Sequence, residues 1–365
     1  MSFVDIWSWF EQPLHQPPLS ERDRELRKII ELFDDGWEQL QTSPEAALAI
    51  FEQGRSRAEQ LDVPCYALFF GYWACEAYVF YLRDMVRGLD YATKLVIEAR
   101  KPIYRSCPVL SGVYRMLADV HLNIDPIGYE DAIRDTLDYL EHNVPMHYEN
   151  YCLIHARRSS LDYELDNIQS AHDLGLRYLS LCEGNSFRLI HANLMLCTYT
   201  YEFGDLELAL AYAKKSEAYA RIRHRYRAII ATLAWQAVLN HKLGDVFLAR
   251  QQYRQAAAKL SEYEFEPWLS YCILMGEYFE LEGEPEKALS LYDRTYETLL
   301  NTGKNWSVCE YWLERCRLLG RVGMSFEHDL KSAYEAGANL LKPELYLAKL
   351  KRVESGDYSS RKVNG

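Results

Sequence analysis

The sequence predicts an all-α fold, a right-handed α-solenoid superhelix of about eight stacked helical hairpins. Three observations carry this. Seven alanines (Ala47, Ala92, Ala132, Ala171, Ala209, Ala249 and Ala288) stand 45, 40, 39, 38, 40 and 39 residues apart, each opening an apolar-periodic stretch after a turn signal. A period of that size marks stacked repeats, each burying its apolar face on its neighbours. No period-2 alternation of useful length competes, so strands are not expected. Hydrophobic residues make up 49% of the 365, with 13% aromatic, enough to fill a continuous core.

Along the chain, residues 1–19 (MSFVDIWSWFEQPLHQPPL) are aromatic and then proline-rich, and form no convincing helix of their own. Ser20 with Asp23 gives an approximate capping box before an amphipathic run to about residue 41. The predicted pairs are then 20–41 with 44–61, 64–84 with 86–101, 108–123 with 128–142, and 147–164 with 167–183. They continue as 186–203 with 205–222, 224–242 with 245–262, 266–282 with 284–302, and 304–320 with 325–341. Gly204-Asp205, Gly244-Asp245 and Gly283-Glu284-Pro285 each supply a helix-ending glycine, then an acidic or proline residue at the next helix start. Ser43-Pro44 and Asp125-Pro126 do this job in earlier pairs. The segment KPELYLAKLKRV (342–353) is amphipathic and reads as the helix that covers the last apolar face, in preference to a membrane or partner helix. The domain reading is an N-terminal segment 1–19, a solenoid with its capping helix over 20–354, and a polar, disordered tail over 355–365.

In GDLELALAYAKKS (204–216), GDVFLARQQYRQA (244–256) and GEPEKALSLYDRT (283–295), the alanine sits early in the second helix. A small side chain there lets the paired helices approach closely. Ala213, Tyr253 and Tyr292 follow four residues later and Ser216, Ala256 and Thr295 seven later, forming one buried stripe. This arrangement resembles the tetratricopeptide repeat family, in which a glycine-acidic turn leads into an alanine, an aromatic and a second small residue. Residues 244–256 and 283–295 match best, and Ala237 and Gly276 match the small position of the preceding helices. The likeness covers 44–302 clearly and 304–341 loosely. The period of about 39–40 rather than 34 implies longer helices than usual. Long-period arrays of this kind look like the sensor domains of bacterial regulators and the cargo-binding part of kinesin light chains.

The formal charge of −12 argues against a general nucleic-acid or anionic-membrane binder. Nine scattered cysteines without a CxxC pair suggest reduced thiols in helix interiors and a cytoplasmic location, not a disulfide framework or zinc site. No run of 18 apolar residues and no basic-then-apolar leader occurs. HExxH, P-loop, Rossmann and GxSxG patterns are absent, the histidines lack metal-ligand spacing, and no cofactor is expected. Cys152 and His155 share a helix, but a cysteine on the apolar side of a repeat helix reads as core.

Two features point to binding. The run Arg221-Ile222-Arg223-His224-Arg225-Tyr226-Arg227 lies at a helix junction of an acidic protein. With Arg157, Arg158, Arg188 and His191 it forms a candidate basic patch, and His191, Thr198, Tyr201 and Arg227 are candidate groove residues. Arginine forks suit carboxylates and phosphates, and Tyr226 can stack on a ring. The plainer reading is a solvated junction whose arginines pair with nearby Asp and Glu. The aromatics Phe3, Trp7, Trp9 and Phe10 read either as a docking segment or as a cap on the first hairpin. The expected function is a non-catalytic adaptor or scaffold holding a protein or peptide, possibly acidic, in its concave groove. A ligand-responsive regulatory subunit acting on a separate effector is the alternative, and an RNA-binding repeat a third reading resting on the basic run alone.

Overall fold

The structure is a computed structural model and describes residues 6–15, 17–18, 20–40, 42–144, 148–182, 184–300 and 302–359. Among them there is no strand. The helices are α1 (Ile6–Glu11), α2 (Glu21–Gln39), α3 (Pro44–Gln60), α4 (Pro64–Glu76), α5 (Met85–Ala99), α6 (Leu110–Ile124), α7 (Glu130–Asn143), α8 (Tyr148–Glu164) and α9 (Ile168–Leu181). They continue as α10 (Ser186–Glu202), α11 (Leu206–Ile222), α12 (Tyr226–Lys242), α13 (Val246–Glu262), α14 (Leu269–Leu281) and α15 (Pro285–Leu299). The last three are α16 (Asn305–Arg321), α17 (Glu327–Gly337) and α18 (Glu344–Glu354).

The chain divides into two compact units, residues 1–124 with 129–154, and residues 125–128 with 155–365. The even spacing of the alanines also hides a change of register. Ala47, Ala92, Ala171, Ala209, Ala249 and Ala288 are all buried, but Ala132 is half-exposed and Ile133 takes the core position. The register slips by one residue in α7, close to the point where the chain passes from one unit to the other.

In the first unit the N-terminal segment departs from expectation by forming α1 and a 3-10 turn at Gln12–His15. Packing explains it. The Phe10 ring stacks on Phe69 at 4.1 Å and meets Phe33 edge-on at 5.2 Å. Trp9 lies 5.0 Å from Tyr66, and Trp7 lies 5.7 Å from both Trp37 and Trp73. Phe10 is 1% exposed, so as folded it offers no surface for docking, while Trp7 keeps about a third of its surface in solvent. Phe3 lies outside the described residues.

The expectation of wholly reduced thiols is corrected: Cys65 and Cys107 form a disulfide, with Cα atoms 5.2 Å apart. Their separation of 42 residues is about one repeat, so stacking brings equivalent places of successive hairpins side by side. The other seven cysteines are free and buried. Burial pushes the Cys272, Cys309 and Cys316 thiols up to about 12, which keeps them protonated core groups.

The second unit holds the most regular hairpins. Asn185, Asp205 and Asp245 cap their helices by accepting from the backbone N–H groups of Arg188, Leu208 and Leu248 at 3.2, 3.0 and 3.1 Å. Gly204 and Gly244 adopt φ of 81° and 90° at the preceding turns, a conformation that suits glycine. Where the early repeats lack glycine, Asp62 and Asp166 take that conformation instead. A buried amide chain joins α11, α12 and α13: Gln236 donates to Glu217 (2.6 Å), Gln252 to Gln236 (2.9 Å) and Asn240 to Gln252 (2.7 Å). Helix α18 covers α16, with Tyr346, Leu350 and Val353 fully buried and the Tyr346 hydroxyl donating to the Cys309 carbonyl at 3.0 Å.

Of the expected tail over 355–365, residues 355–359 are described, and Tyr358 makes side-chain and backbone contacts with α16 and the α16–α17 turn. Tyr358 packs edge-on to Phe326 at 5.9 Å, and its carbonyl accepts from Arg321 at 3.1 Å. Residues 360–365 lie outside the described residues. The end of this unit also returns onto its beginning. Trp306 Nε1 donates to Glu164 at 3.0 Å, and Lys349 pairs with Asp166 at 3.0 Å, across 142 and 183 residues of chain.

Candidate binding surface of the second unit

The basic run occupies one edge, where second helices turn into first helices. Arg221 pairs with Glu217 at 2.5 Å. Arg223 donates to the Ser186 hydroxyl. The Arg225 guanidinium lies over the Phe187 ring (4.9 Å to its centre), and that of Arg227 over Trp268 (4.6 Å). Tyr226 stacks on Tyr263 at 3.9 Å. The partners come from the corresponding turns on either side, so the run is one row of cations laid on aromatic faces. All four arginines remain exposed. The Arg188 backbone N–H is held by Asn185, and His191, exposed on α10, meets Tyr178 of α9 edge-on at 5.7 Å.

Tyr201 does not join this group. It stands in the last turn of α10, at the opposite end of the first helices, about 20–25 Å away along a 17-residue helix. There it belongs to a second row that sequence reading missed. Lys242 and Arg321 are the final residues of α12 and α16, where a cation complements the helix dipole. Lys242 Nζ donates to the Tyr201 hydroxyl at 2.6 Å and pairs with Glu277 of α14 at 2.5 Å. The Tyr201 hydroxyl in turn donates to Glu277, and its ring meets Trp235 of α12 at 5.3 Å. Burial, with Glu277 beside it, holds the Tyr201 phenol well above the ordinary tyrosine value, so it remains a hydrogen-bond donor. Arg321 donates to both Glu280 oxygens, at 2.8 and 2.9 Å.

Tyr201 on α10 therefore reaches Glu277 on α14 past the intervening α12. One side chain can span two repeats only on the inside of the bend, which identifies this as the inner face of the unit. Lys242, Glu277, Arg321 and Glu280 each keep 24–30% of their side chains in solvent, so the row is reachable yet partly desolvated. Such groups can exchange their mutual pairs for those of a ligand. A periodic signal was present: Tyr201 with Lys242, and Glu280 with Arg321, stand 41 residues apart, close to the repeat length. Among the described residues, no cluster of three or more potential metal ligands occurs, and no helix is long and apolar enough to cross a membrane.

Paired antiparallel helices, small residues at the seam and a polar inner face define an all-α protein of tetratricopeptide-like helical repeats. The crystal structure of a Rap protein complexed with competence and sporulation factor is similar to this chain, with a TM-score of 0.61 and 14% sequence identity. The likeness covers 93% of this chain and 91% of that one. At that identity it shows a shared fold. No family model and no curated protein matches the chain.

Proposed function

We propose that the chain is a non-catalytic peptide-binding protein whose second unit holds an extended segment along the inner ends of α10, α12, α14 and α16. The observation that carries this is the row Tyr201, Lys242, Glu277, Glu280 and Arg321. It offers cations for carboxylates, carboxylates for N–H groups and cations, and aromatic faces at Tyr201 and Trp235. Four neighbouring first helices span on the order of 20–30 Å, the length of six to nine extended residues. Acidic groups of a longer partner would meet the edge formed by Arg221, Arg223, Arg225 and Arg227, with Arg188, His191 and Tyr226 beside it. The known complex of a Rap protein with competence and sporulation factor supports the reading, because it places a bound factor on the same fold.

Selecting binders from a displayed random-peptide library on the full chain tests this. Lys242→Glu and Arg321→Glu should each weaken a selected peptide about tenfold or more. Lys214→Glu, on the second helix α11, should leave it unchanged. Equal binding by all three variants would remove the inner row from the proposal.

One observation favours a regulatory role over a passive scaffold. The inner face is tied across two repeats by the Tyr201–Glu277 hydrogen bond, and the unit's end is tied to its beginning through Glu164 and Asp166. A ligand that takes over Glu277 changes the first tie, which couples occupancy to curvature. A peptide that raises the melting temperature without altering hydrogen exchange at the α8–α9 turn would exclude that coupling.

A further inference from the structure

Two surfaces of opposite sign carry charges that the chain itself leaves unmatched. The first is an aromatic face on α1 and the C-terminal half of α2. Trp37 and Trp7 are 45% and 37% exposed there, with their rings 5.7 Å apart. Around them stand Glu11, Glu31, Asp34, Asp35 and Glu38, all exposed, and among the described residues none of the five enters an ion pair. No lysine or arginine occurs between Lys28 and Arg55, so the last turn of α2 meets its own negative dipole end with Glu38 and no cation. Burial, then Glu11, Asp35, Glu38 and Glu31 in turn, raise the Asp34 carboxyl above its ordinary value, so these carboxylates act on one another directly. Paired indoles inside such a rim of charge have the character of an interaction surface.

The second surface is the edge 221–227. Arg223 and Arg225 are exposed, and among the described residues neither pairs with a carboxylate. Arg223 donates to the Ser186 hydroxyl, and Arg225 rests on the Phe187 ring. A ring holds a cation without cancelling its charge, so this edge stays positive in a chain of net charge −12. Phe187 and Ile222 add apolar surface, 56% and 68% exposed. The two surfaces match in sign and in kind, carboxylates around indoles on one and guanidinium groups around apolar side chains on the other. Arginine serves both halves of such a contact, because its fork takes a carboxylate while its plane lies on an indole.

We propose that the chain binds a second copy of itself, the α1–α2 face of one copy receiving the 221–227 edge of the other. The inference rests on the reading of that edge as a receiver of acidic groups and is independent of the inner row. Each copy presents both surfaces, so two copies close into a dimer where the contact is made twice and continue into a longer array where it is made once. Sedimentation velocity of the full chain over about 5–500 µM tests it. The wild type should shift from monomer to dimer or larger species, half-complete on the order of 100 µM, because solvated charge pairs bind modestly. A variant with Arg223→Glu, Arg225→Glu and Arg227→Glu keeps only the acidic face, and one with Asp34→Lys, Asp35→Lys and Glu38→Lys keeps only the basic edge. All six side chains are exposed, and circular dichroism checks that both variants fold. Each variant alone should self-associate about tenfold more weakly or less, and their equimolar mixture should regain association, since an intact face meets an intact edge. A wild type that stays monomeric throughout overturns the proposal. So does undiminished self-association of either variant, or a mixture that sediments as separate monomers. Binding of a short selected peptide to the inner row would survive each of these results, so the two readings fail separately.

Discussion

Replacing Gln252 by leucine should destabilise the second unit by about 3 kcal/mol, more than any exposed substitution in α13. Gln252 is 5% exposed and holds two neighbours at once. Its oxygen accepts from Asn240 at 2.7 Å, and its nitrogen donates to Gln236 Oε1 at 2.9 Å. Leucine removes both bonds. Asn240 retains its second bond, to the Gln236 carbonyl at 2.9 Å, so its loss is partial. Gln236 Oε1 is left as a buried acceptor without its donor, and stranding such a group costs about 1–3 kcal/mol. Leucine in all three positions, Gln236, Asn240 and Gln252, removes donors and acceptors together and should cost less than the single change. Glu217 then keeps Arg221 as its partner. Urea denaturation followed by circular dichroism reads the total, and hydrogen exchange in α12 and α13 reads the local effect, because repeat arrays open in segments. A single-variant cost below about 1 kcal/mol, or a triple variant worse than the single, would refute the reasoning.

Three other outcomes follow from the first unit. Changing Cys65 and Cys107 to serine should remove about 4 kcal/mol under oxidising conditions, the chain-entropy value for a 42-residue loop, and far less when compared with reduced wild type; thermal melts with and without reductant measure it. Phe10→Ala should cost about 3–5 kcal/mol and Trp7→Ala clearly less, since only Phe10 is fully enclosed; equal, small effects would restore a docking role for the segment. Burial lowers the His121 pKa from 6.5 to about 4. The unfolded chain then takes up the proton first, so stability is complete above pH 6.5 and falls by up to about 3 kcal/mol as pH drops through 4. His121→Gln should flatten that slope in urea melts at pH 4 to 7.

The helical pairs were legible because their punctuation is local: a glycine with a left-handed backbone at 204 or 244 followed by an aspartate cap can be read from two adjacent letters. The features that escaped are those that repeat stacking assembles from distant parts of the chain. Cys65 and Cys107 look like two of nine scattered thiols until stacking places them together. Lys242, Glu277, Glu280 and Arg321 contribute one or two groups per helix and form no motif, yet the bend converges them on one face. The run 221–227 was visible as charge, but its aromatic partners Phe187 and Trp268 lie in other turns. The N-terminal aromatics supported two readings because composition alone does not reveal what Phe10 packs against, whereas the stack on Phe69 does. The slip in α7 was hidden because Ala132 keeps the spacing of the ladder while Ile133 takes its place in the core.

The central claim is that the inner row of the second unit, where Tyr201 bridges α10 and α14, is the binding surface. Hydrogen exchange of the full chain with and without a selected peptide tests it most directly. Protection concentrated at the C-terminal turns of α10, α12, α14 and α16 is the predicted footprint, and protection confined to the second helices or to 221–227 would contradict it.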